Sequence, residues 1–327
     1  MTTLVTGATG FLGSAIAREL LYDGRKIKLL VRSNADLRNI EGLDVEVVKG
    51  DLRDKESLKS AMKNCSSLYH VAAYYSLWDW NKELIYDINV QGTRNILEIA
   101  LELNLERVVY TSTVGCIGLS EDHTPTNEKQ PINPATLSND YKISKFQAET
   151  IALEMHSKGL PVVIVNPSTP IGPRDIKPTP TGKLILDFLK GKMPAYLDTG
   201  LNLIDVSDCA RGHILAEEKG KSGERYILGN KNMSLKEILL ALEKITGIQA
   251  PSIKMPYWVA YAAGLACETV SNLITQKPPA IPLAGVKMAK YFMYFDSSKA
   301  IRELGLPQNS VENALSQSVK WFQENRH

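Results

Sequence analysis

The sequence predicts an α/β protein, a doubly wound parallel sheet with a smaller, mostly helical C-terminal part. Three observations predict it: short apolar runs alternate with amphipathic stretches through the first half, a glycine-rich turn follows the first run, and a proline-rich segment breaks the alternation past the middle. Strands alternating with helices build parallel βαβ units, with helices covering both faces of the sheet.

The first strand is expected over 3–6 and the first helix over 11–22, then strands over 26–31 and 45–49, a helix over 55–62 and a strand over 67–71. A helix over 89–103, a strand over 107–111, a helix over 141–158 and a strand over 161–165 continue the pattern. Past Asn166, prolines at 167, 170, 173, 178 and 180 remove amide donors and fix φ, so a loop is expected to leave the sheet there. The chain is expected to return through 203–206 and 225–228, before a helix over 234–246 and the remaining helices. This divides the protein into a sheet domain, 1–166 plus about 203–229, and a second part, 167–202 and 230–327.

The 327 residues are 44% hydrophobic and 23% charged, enough to bury one large core and a smaller one. With 38 basic against 36 acidic side chains the net charge is +2, and no run of five like charges offers a footprint for a nucleic-acid backbone, so DNA and RNA are excluded as partners. Cys65, Cys116, Cys209 and Cys267 lie far apart, with no C-x-x-C pair and no histidine at ligand spacing; reduced thiols are expected, without a metal site. The N-terminus enters directly into a strand pattern, so no signal peptide and a cytoplasmic location are expected. The apolar segment 258–274 is interrupted by Glu268, Ser271 and Asn272 and is too short and polar to span a bilayer. It reads as an amphipathic helix packed in the second part, with contact to a membrane surface as the alternative.

Gly7, Gly10 and Gly13 sit between the first strand and first helix, with Thr9, Phe11 and Leu12 among them. Glycine allows a tight turn and close backbone approach, and free amides at a helix start favour a pyrophosphate; in a strand-turn-helix frame the motif marks a Rossmann domain that binds a dinucleotide. Arg32 ends the second strand where an acidic residue would hold a ribose 2′-hydroxyl, and a cation there suits a 2′-phosphate. NADP(H) is therefore favoured, with NAD(H) as the alternative. Arg38 either adds a second charge or is a solvated side chain. Asp51, with Leu52, either accepts from the adenine amine or makes an ordinary turn or cap. Ala72 and Ala73 are small enough for a cofactor to lie across them.

Tyr141 and Lys145 are four residues apart, hence on one helix face. A free phenol titrates near about 10, and Lys145 together with an oxidised nicotinamide brings Tyr141 towards working pH, where it serves as general acid or base at a carbonyl or carbinol oxygen. Lys145 would also hold the nicotinamide ribose. A hydroxyl donor is expected at the end of the strand 107–111, next to Thr111; Thr113 is chosen, with Ser112 as runner-up. Tyr74, Tyr75, Trp78 and Trp80 either wall an apolar or aromatic substrate or cover core edges. His70, His123, His156 and His213 pair with no carboxylate or cysteine in the pattern and read as packing or surface residues.

Residues 6–13, Asp51-Leu52, 89–93, 110–113, 141–145 and 166–173 together resemble the extended short-chain dehydrogenase/reductases over nearly the whole chain. Within them the chain is most similar to the dihydroflavonol 4-reductase-like branch, and through 166–183 and 191–208 to the bacterial hopanoid-associated sugar epimerases. The resemblance implies Thr113, Tyr141 and Lys145 as catalytic triad, Thr standing where the family usually has Ser. It implies cofactor contacts from the glycine turn, Arg32, Asp51-Leu52, Ala72-Ala73, Pro167 and Ser168, a bracing role for Asn89, and a homodimer through the helices at 89–103 and 141–158. Nucleotide-sugar members carry an arginine shortly before the V-x-D stretch, whereas residues 199–204 hold no cation, which argues against a nucleotide sugar. The favoured reading is an NADPH-dependent carbonyl reductase acting on a small molecule. Its alternatives are a sugar epimerase or dehydratase with a retained cofactor, and a non-catalytic dinucleotide-binding protein.

Overall fold

The computed structural model describes residues 2–76, 78, 81–134, 137 and 139–325. Its larger layer is a seven-stranded sheet: β1 (Thr2–Thr6), β2 (Lys26–Val31), β3 (Glu46–Lys49), β4 (Ser67–His70), β5 (Arg107–Thr111), β6 (Val162–Pro167) and a late strand, Arg225–Leu228. The order is β3-β2-β1-β4-β5-β6 and then the late strand, and every pairing is parallel. The central strands are apolar on both faces because both are covered, as a parallel sheet requires. On one face α1 (Phe11–Tyr22) packs Ile16, Ala17 and Leu20 into the core. On the other, α2 (Lys55–Met62), α4 (Gly92–Glu102) and α5 (Asp140–Ser157) bury Leu58, Ile96, Ala152 and Met155. A short α3 (Lys82–Tyr86) runs into α4 through a π-helical turn, Asp87–Gln91.

At Ser168 the chain leaves this sheet for a second, four-stranded one. β7 (Thr169–Ile171) is followed by α6 (Pro180–Leu189), which starts where proline is tolerated, in the first helical turn, with Thr179 capping it. β8 (Gly200–Asp205) pairs with β7 and, after α7 (Val206–Lys219) and the late strand β9 (Arg225–Leu228), with β10 (Lys231–Ser234). Residues 203–206 therefore do not return to the large sheet as expected. The free edge of β6 is taken by β9, register Ile164 to Arg225, so the apolar β8 finds its partners in the second sheet. α7, packing on α1, carries the chain back to β9, so that 225–228 returns as expected.

The rest is α8 (Leu235–Thr246), α9 (Tyr257–Val270), α10 (Leu283–Met288), β11 (Phe292–Met293), α11 (Ser298–Leu304) and α12 (Val311–Glu324). α6, α8 and α12 bury Ile185, Phe188, Leu239, Leu242, Leu315 and Phe322 against β8 as a separate core. Among the described residues no helix is long and apolar enough to cross a membrane, and no group of three His, Cys, Asp or Glu side chains is placed to hold a metal.

Candidate functional site

β1 leads outward to β2 and β3, and the chain then returns to place β4 on the other side of β1. That reversal opens a crevice at the carboxyl ends of β1 and β4, where open α/β sheets bind ligands. The turn after β1 fills it. Gly7 has φ +73°, and a Cβ there would lie 2.7 Å from the Ala72 amide nitrogen; one on Gly13 would lie 2.2 Å from the Gly7 carbonyl oxygen. No other residue type allows β1, β4 and α1 to approach this closely. Gly10 is the N-cap of α1, no side chain caps it, and the first turn carries no acidic residue, so its amides face the crevice without a competing anion.

The crevice opens into a cavity of about 1370 Å³ between the two parts. Gly7, Thr9, Gly10, Phe11, Leu12, Gly13, Arg32, Asp51, Leu52, Ala72, Ala73, Thr111, Pro167 and Ser168 all line it, as do Thr113, Tyr141, Lys145, Tyr74 and Tyr75. Two sequence-predicted residues are not brought there. Arg38 is mostly exposed, and its guanidinium is held by Asp36, Nη2 to Oδ2 2.7 Å. Trp78 is absent from the lining and its indole N–H donates to Asn272 Oδ1 at 3.0 Å. Trp80 lies outside the described residues.

Lys145 is buried under β5. Its ammonium donates to Tyr110 Oη at 3.0 Å and to the Thr111 carbonyl at 2.8 Å. An ammonium has three donors, so one is left for a ligand. Burial lowers Lys145 from the ordinary lysine range to about 8. Tyr141 packs edge-on against Tyr75, centroids 4.5 Å apart, and burial holds its phenol above the ordinary range. The protein's own groups thus keep Tyr141 protonated. Thr113 Oγ1 accepts from the Gly115 amide at 3.1 Å, which leaves the hydroxyl proton to donate.

Ser112 has its hydroxyl proton committed elsewhere. Its hydroxyl donates to the buried carboxylate of Glu149, which also accepts from Asn166 Nδ2 at 2.9 Å and pairs with Arg225 Nη1 at 3.2 Å. Asn166 Nδ2 in turn donates to the Thr113 carbonyl at 2.9 Å, so this network fixes the Thr113 backbone. The sequence reading missed Glu149, although it stands four residues beyond Lys145 on the same stripe as Tyr141. Asn89 braces: Oδ1 accepts from the Tyr74 amide at 2.7 Å, and Nδ2 donates to Ser144 Oγ at 3.0 Å. The buried His70 bridges Thr6 and Thr93, at 2.9 and 3.1 Å.

At the far end of the crevice the Arg32 side chain makes no ion pair among the described residues, although its charge acts on Asp51 across the crevice. Asp36, Asn39 and Lys177, none anticipated from sequence, line the cavity as well. Asp51 does not cap α2, a role Asp54 fills; its carboxylate accepts from Arg53, backbone and side chain, which holds it below the usual range. Two buried lining atoms, Ser168 Oγ and Asn39 Oδ1, have no hydrogen-bond partner. Buried polar atoms are costly unless a ligand meets them, so the crevice fits an elongated group bearing hydroxyls and a pyrophosphate. At the opposite end, from residue 180 onward, no lining residue is charged; Leu184, Met193, Leu197, Met255, Val259 and Val286 are typical.

Comparison with known proteins agrees with this architecture. Residues 3–229 match the NAD dependent epimerase/dehydratase family. A Synechocystis sp. protein bearing the name "Putative dihydroflavonol 4-reductase" is 48% identical, over 98% of this chain and 94% of its own. Sterol demethylase protein B of Methylococcus capsulatus is 34% identical, over 99% of both. The crystal structure of gox2253 superposes with a TM-score of 0.89 at 43% identity, covering 99% of this chain and 98% of that one. The chain belongs to the NAD dependent epimerase/dehydratase family, the extended short-chain dehydrogenase/reductases built around a nicotinamide dinucleotide.

Proposed function

We propose that this enzyme is an NADPH-dependent reductase of a bulky, apolar carbonyl compound. One observation carries the reading: a single cavity runs from Arg32, which makes no ion pair among the described residues, past Thr113, Tyr141 and Lys145, to a wall that from residue 180 onward has no charged side chain. The glycine turn and the start of α1 would hold the pyrophosphate, Arg32 the 2′-phosphate, and Ser168 and the third Lys145 proton the hydroxyl and amide groups of the nicotinamide half. When bound, NADPH supplies a hydride at a carbonyl carbon.

The remaining work falls to the chain. Tyr141, kept protonated by burial, gives its proton to the carbonyl oxygen as the alcohol forms, and Thr113 donates a hydrogen bond to the same oxygen. Lys145, charged below about pH 8, stabilises the phenolate that is left until solvent restores the proton. The wall from residue 180 onward gives a sugar-nucleotide pyrophosphate no cation, Lys142 and Lys177 being the further cations elsewhere on the lining, and this favours a reductase over an epimerase. The names of the Synechocystis and Methylococcus relatives, a dihydroflavonol reductase and a sterol demethylase component, both point to hydrophobic ring systems.

Titration of cofactor-stripped protein with NADPH and NADH, read by tryptophan quenching, tests the reading. NADPH is expected to bind at least about tenfold tighter, and Arg32→Asp to abolish that preference, since a lost charge-assisted contact costs about 1.5–3 kcal/mol. A screen of hydrophobic ketones should then give turnover that Tyr141→Phe reduces by about a hundredfold or more. NADH bound as tightly as NADPH sinks the NADP assignment and moves the epimerase reading to first place, and cofactor that survives purification and leaves only with unfolding favours the epimerase. Cofactor binding without turnover on any substrate favours the non-catalytic alternative.

A further inference from the structure

The sequence of α9, YWVAYAAGLACETV, contains one charged residue and only two that are buried, Ala260 and Gly264. A helix apolar on all sides belongs in a core or against an apolar partner. Its outer face instead presents Trp258, Tyr261 and Leu265 at helical spacing, with Trp258 72% exposed, and in the turn that follows Leu273 and Ile274 are 78% and 76% exposed. Single exposed apolar side chains are ordinary; a ridge of them marks an interaction surface.

Within this segment the charges are mostly of one sign. Residues 251–291 carry Lys254, Lys277, Lys287 and Lys290 against the single acid Glu268. Glu268 turns inward, its Oε2 accepting from the Leu283 amide at 3.2 Å, and Lys254 is paired with Asp198 at 2.7 Å. Lys277, Lys287 and Lys290 make no ion pair among the described residues. The other side of α9 faces inward, where Val259, Ala260 and Ala263, with Gly285 and Val286 of α10, line the chamber. α9, with α10 beside it, is thus a wall between the cavity and the exterior, and α9 is apolar on both sides.

We propose that the outer face of α9 and the turn after it dock on the surface of an anionic phospholipid bilayer. Trp258, Leu265, Leu273 and Ile274 would enter the headgroup boundary while the three lysines meet lipid phosphates. A second copy of this chain fits less well, because a two-fold interface would set the same basic rim against itself. Docking there sets the wall of the apolar chamber on the lipid phase, a route by which a hydrophobic ketone reaches Tyr141 without crossing water. That route rests on the reductase reading; the docking does not.

The test is flotation of the full chain with vesicles of phosphatidylcholine plus phosphatidylglycerol, and with phosphatidylcholine alone, comparing wild type with the double variant Leu273→Glu, Ile274→Glu. Neither side chain is packed in a core or lines the cavity, so melting temperature and NADPH quenching should match wild type and show that the variant is folded. Wild type is expected to float with the anionic vesicles and far less with the neutral ones, and partitioning of the double variant to fall by about a hundredfold or more. Wild type that does not float with anionic vesicles overturns the proposal. So does flotation equal in the two proteins, which would be charge attraction without insertion. Self-association in sedimentation velocity that the double variant abolishes, in a protein that ignores vesicles, assigns the face to a second copy. Flotation is read without turnover, so its failure leaves the reductase reading standing, and a failed substrate screen leaves the docking standing.

Discussion

Lys145 combines two properties that pull against each other: burial lowers it to about 8, and two of its donors are committed to Tyr110 and the Thr111 carbonyl. Its charge is present below that pH and is lost as pH rises through it. The hydrogen bond proposed from it to a ribose hydroxyl would be charge-assisted only in the lower range. The dissociation constant for NADPH should therefore rise about three- to tenfold between about pH 7 and about pH 9.5, the difference between a charged and a neutral donor. Lys145→Arg, always protonated, should show a flat profile even if its affinity is lower throughout. Equal slopes in the two proteins would place the titration elsewhere. At this scale the sequence was legible where chemistry follows spacing, as for Tyr141 and Lys145, and illegible where a distant partner decides. Sequence prefers Thr113 to Ser112 without a physical reason to separate them; the buried carboxylate of Glu149, 37 positions from Ser112, accepts from the Ser112 hydroxyl. Arg38 similarly resembles a ligand cation until Asp36 is seen to hold it.

Turns and strands show the same division. The glycine turn could be read because its demand is local: a Cβ on Gly13 would lie 2.2 Å from the Gly7 carbonyl oxygen, whatever the rest of the chain does. Gly13→Ala must push α1 away from the turn, and NADPH affinity should fall by about tenfold or more, each tenfold being about 1.4 kcal/mol. Gly24→Ala is the control. Gly24 has φ +71° with nothing within 4 Å of a built Cβ, so the substitution should cost about 1–2 kcal/mol of stability and leave NADPH binding unchanged. Cofactor titration and urea unfolding of both variants separate the two effects, and unaltered affinity in Gly13→Ala would show that the turn does not carry the pyrophosphate. The placement of β8 was not legible, because an apolar strand is equally at home in either sheet; what decides is that β9 already occupies the edge of β6. The π-helical turn Asp87–Gln91 gives no periodic signal either, yet it carries Asn89, which ties the Tyr74 segment to α5.

For the molecule as a whole, the parallel sheet sets a response to acid. His70 and His213 are buried under opposite sides of the β1–β4–β5 region, and burial lowers them to about 3 and about 4. An unfolded histidine titrates near about 6.5. Below that pH the unfolded chain takes up protons that the folded one refuses, so the stability these residues contribute is complete above about 6.5 and is lost as pH falls towards their folded values. Each histidine makes the slope about 1.4 kcal/mol per pH unit in that window. Asp175, raised by burial to about 6, acts in the opposite sense. It binds its proton first in the folded state, and between about pH 6 and about pH 3.9, where an unfolded aspartate titrates, it offsets one histidine. His70→Gln isolates a single contribution against this background. At neutral pH the variant should be less stable than wild type, having lost ring packing between Thr6 and Thr93. From about pH 6 to about pH 4 the gap should close by about 1.4 kcal/mol per unit, because only wild type bears the cost of keeping His70 neutral. Urea midpoints across that range measure it. Two curves that stay parallel would mean that His70 takes its proton in the folded protein, and that the hydrogen bonds joining β1, β4 and α4 beneath the glycine turn are rearranged in acid.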